Sequence, residues 1–364
     1  MLRRTVLLSM LALSVSMPMA FADTKADAQA FVDKYATKVE KWDGPTKGPV
    51  AKPDQSIVIV AGDLRNGGVL GAVEGMKEAA AAIGWSVRVL DGQGSVSGRA
   101  AAMGQALATS PNGIIIAGVD SVEQKQSVEA ANKANIPVVS WHASSKAGPL
   151  EEDGIFGNIT TDPDAVADAA AYWAYLDAGG KPGVVIFTDS TYEMAIAKAD
   201  RLKKTIEDLG GTVLEYVDTP IADTSTRMPQ LASTLLQRYG TKWTHSLAVN
   251  DLYFDFIAPS LSAAGLGGID RPINVSAGDG SASAYQRIRA KQYQAVTVAE
   301  PLSLQGWQAI DEMNRALAGQ GWSDYVTPLH VVTTANIEFD GGANNTFDPQ
   351  NGYRDEYMKI WGKK

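Results

Sequence analysis

The chain has 364 residues, 45% hydrophobic and 20% charged, which is enough for two ordinary domains with cores of their own. Its formal charge of −9 excludes the basic face that a nucleic-acid binder needs, so no nucleic-acid partner is expected. With no Cys there can be no disulfide, thiolate metal site, iron–sulfur cluster, Cys nucleophile or lipid-modified N-terminal Cys, and the three His (142, 245 and 330) lack the spacing of a zinc motif, so neither metal nor cofactor is expected.

In chain order, residues 1–22 come first: a basic start at Arg3 and Arg4, an apolar stretch from Thr5 to Met19, then Ala20-Phe21-Ala22. These are the parts of a secretory signal, and the apolar stretch is shorter than the ~20 residues of a membrane span. Cleavage after Ala22 and export to the periplasm are the expectation. Residues 23–55 form a polar leader, with a helix predicted over Ala26–Val39 and a link rich in Gly, Pro and Lys at 44–49.

From Ser56 short apolar runs alternate with amphipathic stretches. The runs are Ser56–Ala61, Ser86–Leu90, Gly113–Ala117, Pro137–Trp141, Gly183–Thr188, Thr212–Val217, Ser246–Val249, Ile273–Ala277 and Ala295–Ala299. Continuous Val/Ile-rich runs of this length suit strands buried on both faces of a parallel sheet. Between them Leu70, Val73, Ala80 and Ile83 share one helical face, as do Ile196, Ala199, Leu202, Ile206 and Leu209. Asp162-Pro163 reads as an N-cap followed by Pro in the first turn of a helix. Nine strands exceed the ~5–6 of a typical sheet, and the series restarts at Ala178-Gly179-Gly180-Lys181-Pro182. The fold class expected is therefore α/β, with two doubly wound parallel-sheet lobes.

In such sheets ligands bind beyond the carboxyl ends of the strands. Those ends carry Asp63, Arg65 and Asn66; Trp141 and His142; Tyr192 and Glu193; Asn250 and Asp251; Asp279; and Glu300. Planar amides and carboxylates pair with neighbouring hydroxyls, and aromatic faces pack on the C–H side of a sugar ring. The competing reading of each position is a helix cap or turn residue, with Asp251 and Asp279 the strongest candidates. Enzyme signals are weak by comparison. No dinucleotide, P-loop or nucleophile-elbow motif is present, and His142 has no diagnostic nucleophile beside it.

From about Ser56 to Thr334 the sequence resembles the periplasmic sugar-binding proteins of ABC importers, in the ribose- and galactose-binding group. The resemblance rests on Ser56-Ile-Val-Ile-Val-Ala-Gly, Ile136-Pro-Val-Val-Ser-Trp-His, Gly157-Asn158-Ile159, Val249-Asn250-Asp251, Ala277-Gly278-Asp279-Gly280 and Val298-Ala299-Glu300-Pro301, in that order and spacing. It implies a three-stranded hinge between the lobes, with residues 56–158 plus 300–328 in lobe 1 and 159–299 plus 329–364 in lobe 2. It implies a ligand site made of Asp63, Arg65, Asn66, Trp141, His142, Tyr192, Glu193, Lys198, Asn250, Asp279 and Glu300. A small ligand (sugar, polyol or amino-sugar) and an inner-membrane ABC permease are the implied partners, and a monomer is expected.

The sequence departs from that group where an Asp-Arg pair is replaced by His142-Ala143 and a hinge Gln by Glu300. Asp63, Glu193, Asp251, Asp279 and Glu300 then outnumber Arg65 and Lys198, which hints at a polyol or an amine-bearing ligand, since a buried carboxylate surplus needs compensation. Two alternatives stay open: an accessory of a periplasmic sensor or chemoreceptor, and an exported hydrolase using His142 and nearby carboxylates. In the last 25 or so residues Tyr353, Tyr357 and Trp361 predict a short helix with an aromatic face, docked on one lobe.

Overall fold

The computed structural model describes residues 17–363, so most of the segment read as an export signal lies outside the described residues. Helix α1 (Met17–Tyr35) starts in the last residues of that segment and runs into the leader, so it begins ahead of the expected Ala26. It stops short of the expected Val39, and the Thr37 hydroxyl donates to the Lys34 carbonyl in its last turn. Then come β1 (Ser56–Ala61), α2 (Gly67–Ile83), β2 (Ser86–Asp91), α3 (Val96–Ala108), β3 (Gly113–Ala117), α4 (Lys125–Lys133), β4 (Val138–Trp141), β5 (Gly148–Leu150) and β6 (Ile155–Ile159). They form one sheet in the order β2-β1-β3-β4-β6-β5, parallel except for β5.

The second half consists of α5 (Pro163–Asp177), β7 (Gly183–Thr188), α6 (Glu193–Asp208), β8 (Thr212–Asp218), α7 (Thr224–Tyr239), β9 (His245–Ala248), α8 (Leu252–Asp255), α9 (Ala258–Ala263), β10 (Ile273–Ser276), α10 (Ala282–Ala290), β11 (Gln294–Ala299), α11 (Leu302–Leu317), β12 (His330–Val332) and α12 (Tyr353–Ile360). Its sheet runs β12-β11-β10-β9-β7-β8, parallel except for β12. The five parallel strands of each sheet share one winding, so each lobe has a switch point, between β1 and β3 and between β7 and β9, where a crevice opens at the strand ends. Asp162 caps α5 by accepting from the Asp164 and Ala165 amides, with Pro163 in the first turn.

The chain passes between the lobes after β6, after β11 and after α11, which is the expected three-stranded hinge. Helix α11 crosses back to lie on α2, β3, β4 and β6 of the first lobe, whereas α5 packs on α6 and β9–β11 of the second. The strands β5, β6 and β12 were not anticipated. They are short, and Gly148, Gly157, Asn158 and His330 interrupt the apolar runs by which the other nine were read.

The tail corrects an expected boundary. Residues 329–364 were assigned to lobe 2, but only their first part stays there, β12 in the second sheet and Ile337 and Phe347 against Tyr285 and Ile288. The aromatic face of α12, with Trp361, belongs instead to the first-lobe core beside Trp307. The leader makes the same passage, from Phe31 and Val32 at the second-lobe core to Trp42 at the first-lobe core.

Candidate functional site

Between the strand ends of the two sheets lies a cavity lined by both lobes. The first lobe contributes Asp63, Asn66, Val69, Gly94, Gly118, Trp141 and His142; the second contributes Tyr192, Met194, Ala195, Lys198, Ile221, Ala222, Val249, Asn250 and Asp279. Eight of the eleven residues expected at a ligand site therefore line one space: Asp63, Asn66, Trp141, His142, Tyr192, Lys198, Asn250 and Asp279. Arg65, Glu193 and Glu300 do not.

The loop after β1 builds the first wall. Asp63 accepts from the Arg65 amide at 2.9 Å and from its guanidinium at 2.9 and 2.8 Å. Arg65 itself points outward, its side chain 63% exposed. Asn66 caps α2 by accepting from the Gly68 amide at 2.9 Å. Glycine is required here because a Cβ at Gly68 would run into the Asp279 carboxylate of the other lobe.

The end of β4 supplies the floor. His142 has a φ of 55°, leaves the strand direction, and lies flat on Trp141 with ring centroids 3.7 Å apart and planes 5° apart. Trp141 is therefore nearly all backing, and its indole N–H donates to Gln305 Oε1 at 2.7 Å. Gln305 in turn donates to Glu300 at 2.9 Å.

Glu300 is fully buried beneath the cavity and is the anchor of its charged end. It accepts from Lys198 Nζ at 3.2 Å and from His142 Nε2 at 2.8 Å. Burial alone would raise its carboxyl, but the charges of His142 and Lys198 and the bonds from His142 and Gln305 hold it far below the usual range. An ionised Glu300 makes His142 Nε2 the donor of the bond between them.

Asp279 is treated differently. Its Oδ2 accepts from Asn250 Nδ2 at 2.7 Å, and Lys198 Nζ stands 3.9 Å from its Oδ1, beyond hydrogen-bond distance. Burial pushes its carboxyl up to about 6, against the lowering charges of Lys198 and His142. Neither Asp251 nor Asp279 caps a helix with its side chain, contrary to the alternative reading. Ser281 caps α10. Asp251 accepts from the Gly280 and Ser281 amides at 2.9 and 3.0 Å, from Gln294 at 2.8 Å and from Thr297 at 3.1 Å, and so holds the loop that carries Asp279.

Glu193 is used across the cleft mouth. Its carboxylate accepts from the Ser145 amide and hydroxyl, both at 2.7 Å, and its own amide donates to Asp120 at 3.2 Å. Next to it the Tyr192 hydroxyl accepts from Arg99 at 2.9 Å; Arg99 is buried in the first lobe and paired with Glu123. Burial pushes the Tyr192 phenol up to about 12. Arg99, Ser145 and Gln305 were not anticipated, because they sit inside a helix, a loop and a helix with no motif around them.

His142, Asp279 and Glu300 each offer a ligand atom within 4.8 Å of the others, a spacing suited to a cation. The Lys198 ammonium already stands beside both carboxylates. With that charge in place the group does not fit a metal ion.

A family model described as a periplasmic binding protein domain matches residues 57–321. No curated protein sequence matches. Among solved structures, an ABC transporter solute-binding protein from Agrobacterium vitis bound with α-D-tagatopyranose superposes with a TM-score of 0.71 at 18% identity, covering 80% of this chain and 99% of its own. A second from the same organism, with bound allitol, gives 0.69 at 18% identity over 78% and 97%. A twin-arginine translocation pathway signal protein from Burkholderia phytofirmans gives 0.71 at 18% over 84% and 97%. At these identities the likeness to solved structures establishes the fold, while the family match covers well over half of the sequence. The chain belongs to the periplasmic binding protein family.

Proposed function

We propose that this protein is an exported solute-binding protein, its signal removed after Ala22, that captures a small polyhydroxylated ligand between its lobes and by hinge closure presents it to an ABC import permease. The observation that carries this reading is the cavity itself, to which both lobes contribute polar groups at their strand ends. The ligand's role is to bridge those two surfaces, which shifts the population toward the closed form. No helix among the described residues is long and apolar enough to cross a membrane.

The pairing of charges favours a neutral sugar or polyol over an amine. Of the carboxylates that outnumber the cations in sequence, Asp63 is held by Arg65, Glu193 binds Ser145 at the mouth, Asp251 is turned into the second lobe and Glu300 is covered by Lys198 and His142. Asp279 alone presents an oxygen short of donors, with Lys198 close by. An acceptor and a donor side by side suit vicinal hydroxyls.

The test is a thermal-shift and calorimetric screen of the purified protein against pentoses, hexoses, alditols and amino-sugars. A ligand at 100 times its Kd adds about 2.7 kcal/mol of stability. Asp279→Ala and Asn250→Ala are expected to abolish that response while leaving the protein folded. Silence across the panel, or normal responses from both variants, would overturn the assignment.

A further inference from the structure

Helix α11 begins at Leu302, and its first turn brings the Gln305 side chain back onto Glu300, with the Gln305 amide bonded to the Pro301 carbonyl at 2.8 Å. Gln305 is fully buried and does not line the cavity. Its Oε1 accepts from Trp141 Nε1 at 2.7 Å, and its Nε2 donates to Glu300 Oε2 at 2.9 Å and to Thr327 Oγ1 at 3.0 Å. One carboxamide therefore joins the end of β4, the second crossing between the lobes at Glu300 and the third at Thr327.

The chemistry of those partners leaves the amide a single orientation. An indole N–H can only donate and an ionised carboxylate can only accept, so a flipped amide would set donor against donor at Trp141 and acceptor against acceptor at Glu300. Both Nε2 hydrogens and the Oε1 are in use. Glu at this position would face Glu300 with a second carboxylate, and Met would leave the buried Trp141 N–H without its acceptor and Glu300 without one of its donors.

Two of the partners support groups that do line the cavity. Trp141 backs the His142 ring with centroids 3.7 Å apart, and Glu300 bonds His142 Nε2 at 2.8 Å and Lys198 Nζ at 3.2 Å. His142 thus rests on one support and bonds another, and the same amide fixes both. We infer that Gln305 is a positioning residue for ligand binding: it fixes Trp141 and Glu300, and through them the His142 ring and the Lys198 ammonium that the ligand meets. The inference rests on the solute-binding reading above. Without that amide these groups sample other arrangements, and the apparent affinity falls with the fraction still in the competent one.

Nitrogen–proton correlation spectra of the ligand-free protein labelled with 15N-histidine test the positioning directly. The chain has three His, so each ring can be followed separately. His245 bonds Asp177 and Thr244, and His330 stacks on Phe347, partners that Gln305 does not bond. Gln305→Met is expected to shift the His142 ring signals while those of His245 and His330 stay in place. Thr327→Val, which removes only the third bond, is expected to move His142 in the same direction by less, and it carries the test where Gln305→Met fails to fold. Calorimetry with D-galactose, D-ribose and galactitol is the second arm. The Kd of a probe that the parent binds should rise about tenfold in Gln305→Met and about threefold in Thr327→Val. His142 signals unmoved in the folded variants, all three His moving together, or a Kd within about twofold of the parent in both variants overturns the positioning role. A parent that binds no sugar or alditol overturns the solute-binding reading instead, and the histidine spectra then decide the positioning role by themselves.

Discussion

The two lobes touch at opposite edges, and the edges are made of different material. At the cleft mouth the contacts are polar: Ser145 to Glu193, Glu193 to Asp120, and Arg99 to Tyr192. Behind the hinge the leader and the tail, which lie outside the family match, both cross from the second lobe to the first and knit to each other. Asp340 accepts from the Val39 amide at 2.8 Å, Asn336 donates to the Ala36 carbonyl at 3.0 Å, and Trp42 packs on Tyr325, Tyr353 and Tyr357. Hydrogen bonds at a solvent-facing edge are exchanged for bonds to water when the edge opens, so their net contribution is modest. Buried aromatic surface has no such substitute. The mouth is built to part and the back to persist.

The sharpest way to break this comparison is at Trp361. It is fully buried, stacks on Trp307 with centroids 5.4 Å apart, and donates to Asp311 at 2.8 Å. Trp361→Ala should cost about 3–5 kcal/mol, from the cavity and from the buried carboxylate left short of a donor. Urea unfolding measures the loss. Ligand affinity of the folded variant should stay within about twofold of the parent; a parallel collapse of affinity would mean that the back also sets the closure equilibrium.

The buried charged cluster of Asp279, Lys198, His142 and Glu300 lies between these extremes, and its chemistry gives a pH signature. Asp279 has its carboxyl pushed up to about 6 by burial, above the 3.8 of an unhindered Asp. The folded state therefore holds that proton more tightly than the unfolded chain. This stabilisation is fully present below pH 3.8 and is lost as pH rises through about 6, a decline of about 2–3 kcal/mol. Glu300 works the other way: its folded carboxyl lies below 4.5, so its contribution is present above that pH and is lost as the pH falls below it. Asp279→Asn should therefore be more stable than the parent at pH 7, lack the decline between pH 4 and 6, and bind ligand at least a hundredfold more weakly. An unchanged stability profile would mean that Asp279 finds compensation the geometry does not provide.

How far these regions were legible in the sequence follows the same division. Asn250 and Asp279 stand directly after apolar strands, where position alone implies an opening at the sheet's edge, whereas Lys198, inside the helix after β7, is legible only through the family resemblance. Glu193 stands at a strand-to-helix junction too, yet it reaches Ser145 rather than the cavity, because that choice depends on how close the other lobe comes. Trp141 could be read as a ligand contact only until its neighbour's ring was seen lying over it. The aromatic spacing of Tyr353, Tyr357 and Trp361 predicts a helix face, but nothing in that spacing says which lobe it covers. Periodicity records that a face is buried; it is silent about the identity of the burying surface.

The smallest expected effect sharpens the comparison most, because it separates closing from binding. Glu193 bonds the other lobe through its carboxylate and does not line the cavity. Glu193→Ala removes two charge-assisted bonds that exist only while the mouth is shut, so it should raise the cost of closing by about 1 kcal/mol and leave each lobe's own stability within about 0.5 kcal/mol. Every ligand must meet the same added cost, since none of them touches the residue. Affinities should thus fall by a common factor of about 3–10, with the preference between any two ligands unchanged, as calorimetry on two binding sugars would show. Small-angle scattering of the ligand-free variant should show a larger radius of gyration than the parent. A change in the ratio of the two affinities would place Glu193 among the ligand's own contacts, and the mouth would then be part of the site rather than its clasp.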